Sequence, residues 1–387
     1  MNQIGNCERL PSRVVHVIGD GRAGGGTTVV LTLSSLLAKR GIAVTIVSQQ
    51  DSFLTDEATR LGLETLGLDF SHRSSAPKLA FQLRTYLARN PVDLVHCHGA
   101  RAGLPALIAQ RIGSTKRVYT VHGFHFRSKR GLWRELARRT EQFCMSRAEA
   151  TVFVSRSDRE VAREEGLLEK AKSSEVIYNG VELPSLKKER PKAFDIGFLG
   201  RLHPVKNPVI LVDILTAMRP ARPTLCVIGS GELEGELRRQ IIKAGISDQV
   251  TFYGERPRHE ALEFLAQCRT LALPSLSEGH PLAPIEAMLL DVPVVASDIP
   301  STREIIDDGH NGFLVALPGI PVFAQRFTRL LGDESLRQSI AAEARRRAQT
   351  AFSIDEHFER YLRLYARLIG PPAAPGFAKE GRTSERA

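Results

Sequence analysis

The feature that most constrains this chain is a doubled series of short, almost purely apolar runs, each followed by a stretch of helical length and pattern. The first series occupies residues 14–18, 44–47, 94–97, 118–121, 152–154 and 176–178; the second occupies 196–199, 225–228, 250–253, 271–273, 294–296 and 313–315. A strand with one wet face alternates apolar and polar residues. These runs do not alternate, which is the mark of parallel strands covered by helices on both faces. The expected class is therefore α/β, with two doubly wound, Rossmann-like halves. A length of 387 residues is ample for two such domains. The expected division is a first domain over 1–182 and a second over 183–350. Residues 182–192 form the linker, marked by Pro184, Pro191 and the charges Lys187, Lys188, Glu189 and Arg190. Beyond them, Ile354, Phe358, Tyr361, Leu362, Tyr365, Leu368 and Ile369 predict an amphipathic helix within 351–370. Residues 371–387 are expected to be a disordered tail, being rich in Ala, Pro, Gly and charge.

Apolar residues make up 42% and charged residues 25%, a balance that excludes wholesale disorder and fibrous repeats. No uninterrupted apolar run reaches the length of a membrane span, and residues 1–11 lack the apolar region of a signal peptide, so a cytoplasmic protein is expected. The five cysteines (Cys7, Cys97, Cys144, Cys226, Cys268) are scattered and form no C-x-x-C pair, which suits a reducing compartment and argues against a zinc knuckle. Net charge is +10. Most of it is local: between Arg101 and Arg147 stand eleven basic residues, Arg111 among them, against Glu135 and Glu141 alone. That asymmetry predicts an anionic partner. Trp133, Leu136, Phe143 and Cys144 fit the apolar side of a helix whose other side carries Arg127, Arg130, Arg134 and Arg138. An anionic membrane surface or a lipid-linked acceptor would suit such a stripe, and a plain solvated face is the alternative. No aromatic platform interleaves the charges, so no nucleic acid is expected.

Three motifs carry chemistry. Gly19-Asp20-Gly21-Arg22-Ala23-Gly24-Gly25-Gly26 joins the first strand to a helix pattern, and amides at such a helix start can approach a phosphate or sugar without a Cβ in the way. Gly19, Gly21 and Gly24 also fit the dinucleotide fingerprint, which raises a nicotinamide oxidoreductase as a rival. The acidic partner that fingerprint expects at the end of the second strand is not there, since that strand ends in Val47-Ser48-Gln49-Gln50 and Asp51 comes late. Next, Gly200-Arg201-Leu202-His203-Pro204-Val205-Lys206 places a planar cation and a mobile one after a parallel strand, a pair suited to a diphosphate. Finally, Glu278 in a loop and Glu286 in the first turn of a helix expected no earlier than Pro284 offer carboxylates that can each accept two hydroxyls of a sugar diol.

These residues bring a family into view. G-R-L-x-x-x-K at 200–206, P-S-x-S-E-G-x-x-L-x-P-x-E-A-M at 274–288 and Val292-Pro293-Val294-Val295-Ala296-Ser297 resemble the donor half of family 4 retaining glycosyltransferases of GT-B fold. The first half agrees through Gly24-Gly25, Leu94-Val95-His96-Cys97-His98-Gly99, Thr120-Val121-His122-Gly123, Val154-Ser155 and Asn179-Gly180-Val181. The resemblance implies two domains facing across a cleft, with the last helix crossing back to the first. It implies a nucleoside diphosphate sugar donor, UDP-linked by preference, a glycan or lipid-linked acceptor in polysaccharide biosynthesis, and neither metal nor cofactor.

By position, the resemblance puts Arg201 and Lys206 on the diphosphate, Glu278 on hydroxyls of the transferred sugar, Glu286 on the ribose, and the backbone around Gly254, Glu255 and Arg256 at the base. His122 would lie near the anomeric carbon. Gly279, His280 and Leu282 belong to the same donor loop, with Gly200, Gly24 and Gly25 on the loops around it. Pro281 stands where the family often has Gly and removes one amide. His96, His98, His122 and His125 suggest a metal cluster at first sight, but His96 and His98 are expected on opposite faces of their strand. A nucleotide-sugar epimerase shares the architecture and stays as a further rival.

Overall fold

The computed structural model describes residues 9–72, 75–109, 115–182 and 191–371. Most of the expected linker and tail, with Cys7 and Arg111, lies outside these residues. Seven strands form the first sheet: β1 (Arg13–Ile18), β2 (Ala43–Gln49), β3 (Glu64–Leu68), β4 (Leu94–His98), β5 (Lys116–Val121), β6 (Ala150–Phe153) and β7 (Ser174–Val176). Their order is β3-β2-β1-β4-β5-β6-β7, all parallel. Helices α1 (Gly25–Lys39), α2 (Phe53–Arg60), α3 (Ala76–Arg89), α4 (Ala100–Ala109), α5 (Gly131–Arg147) and α6 (Arg156–Glu164) make the crossovers. The second sheet has the order β10-β9-β8-β11-β12-β13, again parallel. Its strands are β8 (Phe194–Leu199), β9 (Leu225–Ile228), β10 (Val250–Gly254), β11 (Cys268–Leu273), β12 (Val294–Ser297) and β13 (Phe313–Val315). Around it lie α7 (Ile210–Ala217), α8 (Glu234–Ala244), α9 (Arg258–Ala266), α10 (Leu282–Leu289), α11 (Pro300–Arg303), α12 (Ile320–Gly332) and α13 (Glu334–Ala351).

The expected fold class holds, with differences of detail. One strand, β3, has no counterpart in the apolar series: Glu64-Thr65-Leu66-Gly67-Leu68 is an edge strand with one neighbour, so it needs no continuous apolar run. Helix α10 starts at Leu282, not at Pro284. The first-turn amides of a helix have no intrahelical acceptor, so Pro284 costs no hydrogen bond there, and Glu286 falls two residues deeper than expected, past the first turn.

Helix α14 (Ile354–Ile369) leaves the second half and returns to the first sheet. The Ser353 hydroxyl accepts from the Glu356 amide at its start. Its Phe358, Tyr361, Leu362, Leu364 and Tyr365 are buried with Val14, Val30, Leu94 and Val118. Each such side chain contributes roughly 1.5–3 kcal/mol by transfer. This strap, with the Val181 amide donating to the Phe352 carbonyl (2.9 Å), ties the two halves together.

In both sheets the connections reverse direction beside the first strand, at β1/β4 and at β8/β11. Such a switch point opens a crevice at the carboxyl ends of the strands. The loops that open it are those following β1 and β4 in one half, and β8 and β11 in the other.

Candidate active site

The second half supplies charge. After β8 the backbone of residues 200–202 is held on the β9 loop, the Gly200 amide by Ile228 (3.0 Å) and the Leu202 amide by Ser230 (2.9 Å). A Cβ at Gly229 would stand 2.1 Å from the Gly200 carbonyl oxygen, and one at Gly231 2.5 Å from that of Leu202. Both loops can meet only because these positions are glycine, a requirement the sequence pattern had not exposed. The turn Pro204–Lys206 ends at Asn207 in the left-handed region (φ 52°) and is joined to the β11 loop by the Leu276 amide donating to the Val205 carbonyl (2.7 Å). Lys206 and Glu278 are thereby brought into contact, Nζ to Oε1 2.6 Å and to Oε2 2.9 Å.

Glu286, buried in α10, is paired with Arg258 at 2.8–2.9 Å. Arg258 opens α9 just after the Gly254-Glu255-Arg256 loop and was not singled out from sequence. Arg256 turns back onto the Tyr253 carbonyl (2.8 Å), so the cation beside the expected ribose carboxylate is Arg258. Arg201 is about half exposed and reaches towards the other half, its Nη1 3.7 Å from Asp20. Burial pushes the Asp20 carboxyl up, but its bonds to Arg22, with Arg201 adding, hold it below the ordinary value.

The first half meets this edge closely. A Cβ at Gly279 would lie 2.7 Å from the His122 carbonyl oxygen, so the donor loop rests directly on the backbone after β5. Gly24 precedes α1, and a Cβ there would meet nothing within 4 Å among the described residues. The nearest atom to a Cβ at Gly25 would be Leu282, at 3.8 Å across the cleft. Gly19 and Gly21 have another explanation. Cβ atoms there would strike the Arg101 side chain (2.9 Å) and the Ser52 hydroxyl (2.2 Å), so the chain itself fills the space a dinucleotide fingerprint would leave for a cofactor. Gln49, at the position of the missing acid, accepts from the Phe70 amide (2.7 Å). Nothing here supports the oxidoreductase rival.

His280 belongs to the same loop, but its ring stacks on Tyr178 at 5.0 Å and meets Phe352 edge-on at 5.2 Å. Burial pulls its pKa down to about 3. Among the described residues only the backbone of His280 has a hydrogen-bond partner, its carbonyl accepting from Asn179 (2.9 Å).

His96 and His98 do not stand on opposite faces of β4, contrary to expectation. Residues two apart on a strand share a face, and the His96 and His98 rings are 4.1 Å apart. His16, on the neighbouring β1 and opposite His96 in register, joins them. Nitrogens of the three lie within 4.8 Å of one another, a spacing a metal ion could use. In this structure every one of these nitrogens except His16 Nε2 is engaged otherwise. His96 bonds Tyr365 and Thr120 (2.7 and 2.6 Å), and His98 bonds His122 and His16 (both 3.0 Å).

The α5 assignment also changes. Leu132, Trp133 and Leu136 are exposed at 80%, 66% and 53%, while Cys144 is buried. Arg134 pairs with Glu165, and Arg138 and Arg139 pair with Glu135. Arg134 and Arg138 therefore lie against the segment after α6, Arg139 is paired within its own helix, and the Trp133 side faces solvent. Among the described residues no helix is long and apolar enough to cross a membrane.

Comparison with known proteins agrees with this architecture. Residues 23–184 match the family model Glycosyltransferase Family 4, and residues 184–347 match Glycosyl transferases group 1. The UDP-Gal:alpha-D-GlcNAc-diphosphoundecaprenol alpha-1,3-galactosyltransferase of Escherichia coli is 27% identical over 312 residues, 76% of this chain and 80% of that protein. A Campylobacter jejuni alpha-1,4-N-acetyl-D-galactosaminyltransferase, whose named acceptor is an undecaprenol-linked diphosphate glycan, is 26% identical and covers 92% of this chain and 99% of its own. The crystal structure of Anabaena HepE in complex with UDP and glucose superposes with a TM-score of 0.80 at 21% identity, over 92% of this chain and all of that one. With both halves matched in sequence and the two-sheet fold matched in structure, the chain belongs to the glycosyltransferases of GT-B fold, a Family 4 half joined to a group 1 half.

Proposed function

We propose that this glycosyltransferase moves a hexosyl residue from a UDP-sugar to a glycan or lipid-linked acceptor, with retention at the anomeric carbon, in cell-surface polysaccharide biosynthesis. One observation carries the reading: Arg201, the Lys206–Glu278 pair and the Arg258–Glu286 pair meet at the carboxyl edge of the second sheet, against the helix start at Gly24–Gly25 and the backbone of His122. In support, the Escherichia coli relative is named for UDP-Gal as donor, and both relatives are named for undecaprenol-diphosphate-linked acceptors. On this reading residues 1–182 take the acceptor, 183–350 take the donor, and 351–370 strap them together.

The chemistry follows from the ion pairs. Without ligand, Lys206 and Glu278 neutralise each other in a partly buried place. A donor diphosphate draws Lys206 and Arg201 towards it, and the two Glu278 oxygens then accept hydroxyls of the hexose in place of the ammonium. Negative charge grows on the leaving diphosphate in the transition state. Fixed cations and helix-start amides therefore act more strongly there than on the ground state. The departing phosphate takes the acceptor's proton on the face it leaves, which gives retention without a protein nucleophile. With two cations on the diphosphate, the proposed step needs no metal.

The protein is proposed to work in the cytoplasm, at the inner face of the membrane. Exposed Leu132, Trp133 and Leu136 beside exposed Arg127 and Arg130 match the mixture of apolar and basic residues that settles at an anionic interface. A panel of UDP- and GDP-sugars, scored by thermal shift and slow donor hydrolysis, tests the donor. The expected result is stabilisation by one UDP-hexose, hydrolysed equally well with a chelator present. Stabilisation by none of them would overturn the reading.

A further inference from the structure

We infer that His98, backed by His16, is a positioning residue that holds His122 in a single tautomer whose Nδ1 carries the proton. The inference rests on the proposed function together with the expectation that His122 lies near the anomeric carbon, and it adds which hydrogen-bonding group that ring offers. His122 Nε2 is 3.0 Å from His98 Nδ1, and His98 Nε2 is 3.0 Å from His16 Nδ1. The rings of His98 and His122 are stacked, 5.3 Å apart with 26° between planes. Both nitrogens of His98 are thus used, and the three imidazoles form one chain running from the cleft into the sheet.

A neutral imidazole has one donor nitrogen and one acceptor. A chain of neutral rings therefore points all one way, and its direction fixes every tautomer in it. Complete burial keeps His16 neutral, its pKa pulled down to about 3, and pulls that of His98 well below the ordinary value. The direction is set at the inner end. His16 Nε2 is buried and has no hydrogen-bond partner among the described residues. A buried acceptor left empty is tolerated more readily than a buried N–H left without an acceptor. His16 then holds its proton on Nδ1 and donates to His98 Nε2. His98 holds its proton on Nδ1 and donates to His122 Nε2, which leaves the His122 proton on Nδ1 as a donor. A sugar oxygen near the anomeric carbon is the matching acceptor.

The neighbouring His96 stands apart from this chain. Its nitrogens bond the Tyr365 and Thr120 hydroxyls, and its place beside His98 fixes the stack from the side. Tyr365 comes from the strap helix α14, so the helix that joins the two halves also packs the relay.

The test combines a direct observation of the tautomer with a rescue. In the full-length protein with 15N-labelled histidine, NMR should show His122 protonated at Nδ1 and not at Nε2. Hydrolysis of the nucleotide sugar selected by the panel above should lose about ten- to a hundredfold in kcat in His98→Leu, the range expected for a mispositioned group. UDP affinity measured by calorimetry should stay at the parental value. His98→Asn, whose side-chain amide stands where Nδ1–H was, should recover most of the lost kcat. A proton on His122 Nε2 in the parent would overturn the inference, as would parental kcat in His98→Leu while His122→Ala is impaired. Parental kcat in His122→Ala would instead overturn the placement of His122 at the sugar, and the NMR arm still decides the tautomer. Stoichiometric zinc held by His16, His96 and His98 would also overturn it, since ligation takes a nitrogen from the chain.

Discussion

Across the cleft, the first sheet presents rings that burial keeps uncharged, His16, His96 and His98, while the second presents cations and carboxylates in contact, Lys206 with Glu278 and Arg258 with Glu286. The topology at the two edges is the same, with a switch point beside the first strand of each sheet. The difference lies in where the side chains stand. His16, His96 and His98 are on β1 and β4 themselves, whereas Lys206, Glu278 and Arg258 sit in the turns and helix starts that follow. Strand-borne rings cannot move when a ligand arrives, so they suit orientation. Loop-borne ions can exchange partners, so they suit a charge that arrives and departs with the donor.

Acid should break this contrast first and most strongly. Burial lowers the pKa of His16, His96, His98, His280 and His357 below 6.5. Below pH 6.5 the unfolded ring takes up a proton and the folded ring does not, until about pH 3 for His16 and about 4 for His357, so acidification favours unfolding across that window. Two groups oppose it. Burial raises Glu141 and Asp158 to about 7, so they hold protons in the folded state that the unfolded state releases, and they gain stability as pH falls towards their ordinary values. With each group worth about 1 kcal/mol per pH unit, five against two leaves a net loss of about 3 kcal/mol between about pH 6.5 and 5.5. Urea unfolding midpoints at the two pH values check this. A midpoint that does not fall would mean the ring edge is not held neutral.

Removing a cation from the charged edge comes next. Lys206→Ala and Arg201→Ala should each lower kcat for donor hydrolysis by about 10- to 150-fold, the loss of a charge-assisted bond worth roughly 1.5–3 kcal/mol. The Lys206 variant should suffer more, because it also leaves the nearly buried Glu278 carboxylate without its cation. Folded variants with parental turnover would remove the diphosphate from this edge.

Most of the architecture was legible because its physics is local. Near-continuous apolar runs, as in 14–18 and 294–296, identify doubly covered parallel strands without reference to the rest of the chain. Arg201, Lys206, Glu278 and Glu286 were legible as residue types at strand ends, and the structure brings the first three to one edge and Glu286 to the helix beside it. The partners were not legible. Arg258 reaches Glu286 only through the packing of α9 on α10, and nothing in spacing reports that. His16 was hidden inside the apolar run Val14-Val15-His16-Val17-Ile18, although the i, i+2 pair His96 and His98 was readable as one face. On α5 periodicity found a helix with two faces but could not say which one meets a neighbour. Glu165, the partner that draws Arg134 inwards, stands just past α6.

The two ion pairs can then be separated. Glu286→Ala should weaken UDP binding by about tenfold, or about 1.4 kcal/mol, whereas Glu278→Ala should leave UDP affinity near the parental value and impair sugar transfer. The asymmetry follows from a ribose present in both UDP and donor and a hexose present in the donor alone. Calorimetry showing equal losses of UDP affinity would sink this division of roles.

The smallest expected effect per residue concerns the outside of the first half, where charge meets solvent instead of an internal partner. Arg134, Arg138 and Arg139 are already paired with Glu165 and Glu135, so they contribute less to an external field than their number suggests. Arg127 and Arg130 are exposed beside Leu132, Trp133 and Leu136. Near an anionic leaflet each basic residue contributes roughly 1 kcal/mol, and the three apolar side chains add burial in the head-group region. Arg127→Glu with Arg130→Glu should therefore reduce co-sedimentation with vesicles rich in phosphatidylglycerol, and adding Trp133→Ser should abolish it. Donor hydrolysis should stay at the parental rate, because this surface is outside the donor edge. Raising the salt to about 1 M, where the Debye length is about 3 Å, should weaken the parent and leave whatever binding Trp133 and its neighbours provide. Equal sedimentation of parent and variants, or none by the parent at low salt, would make the α5 surface an ordinary solvated face and return the acceptor's membrane to a different part of the molecule.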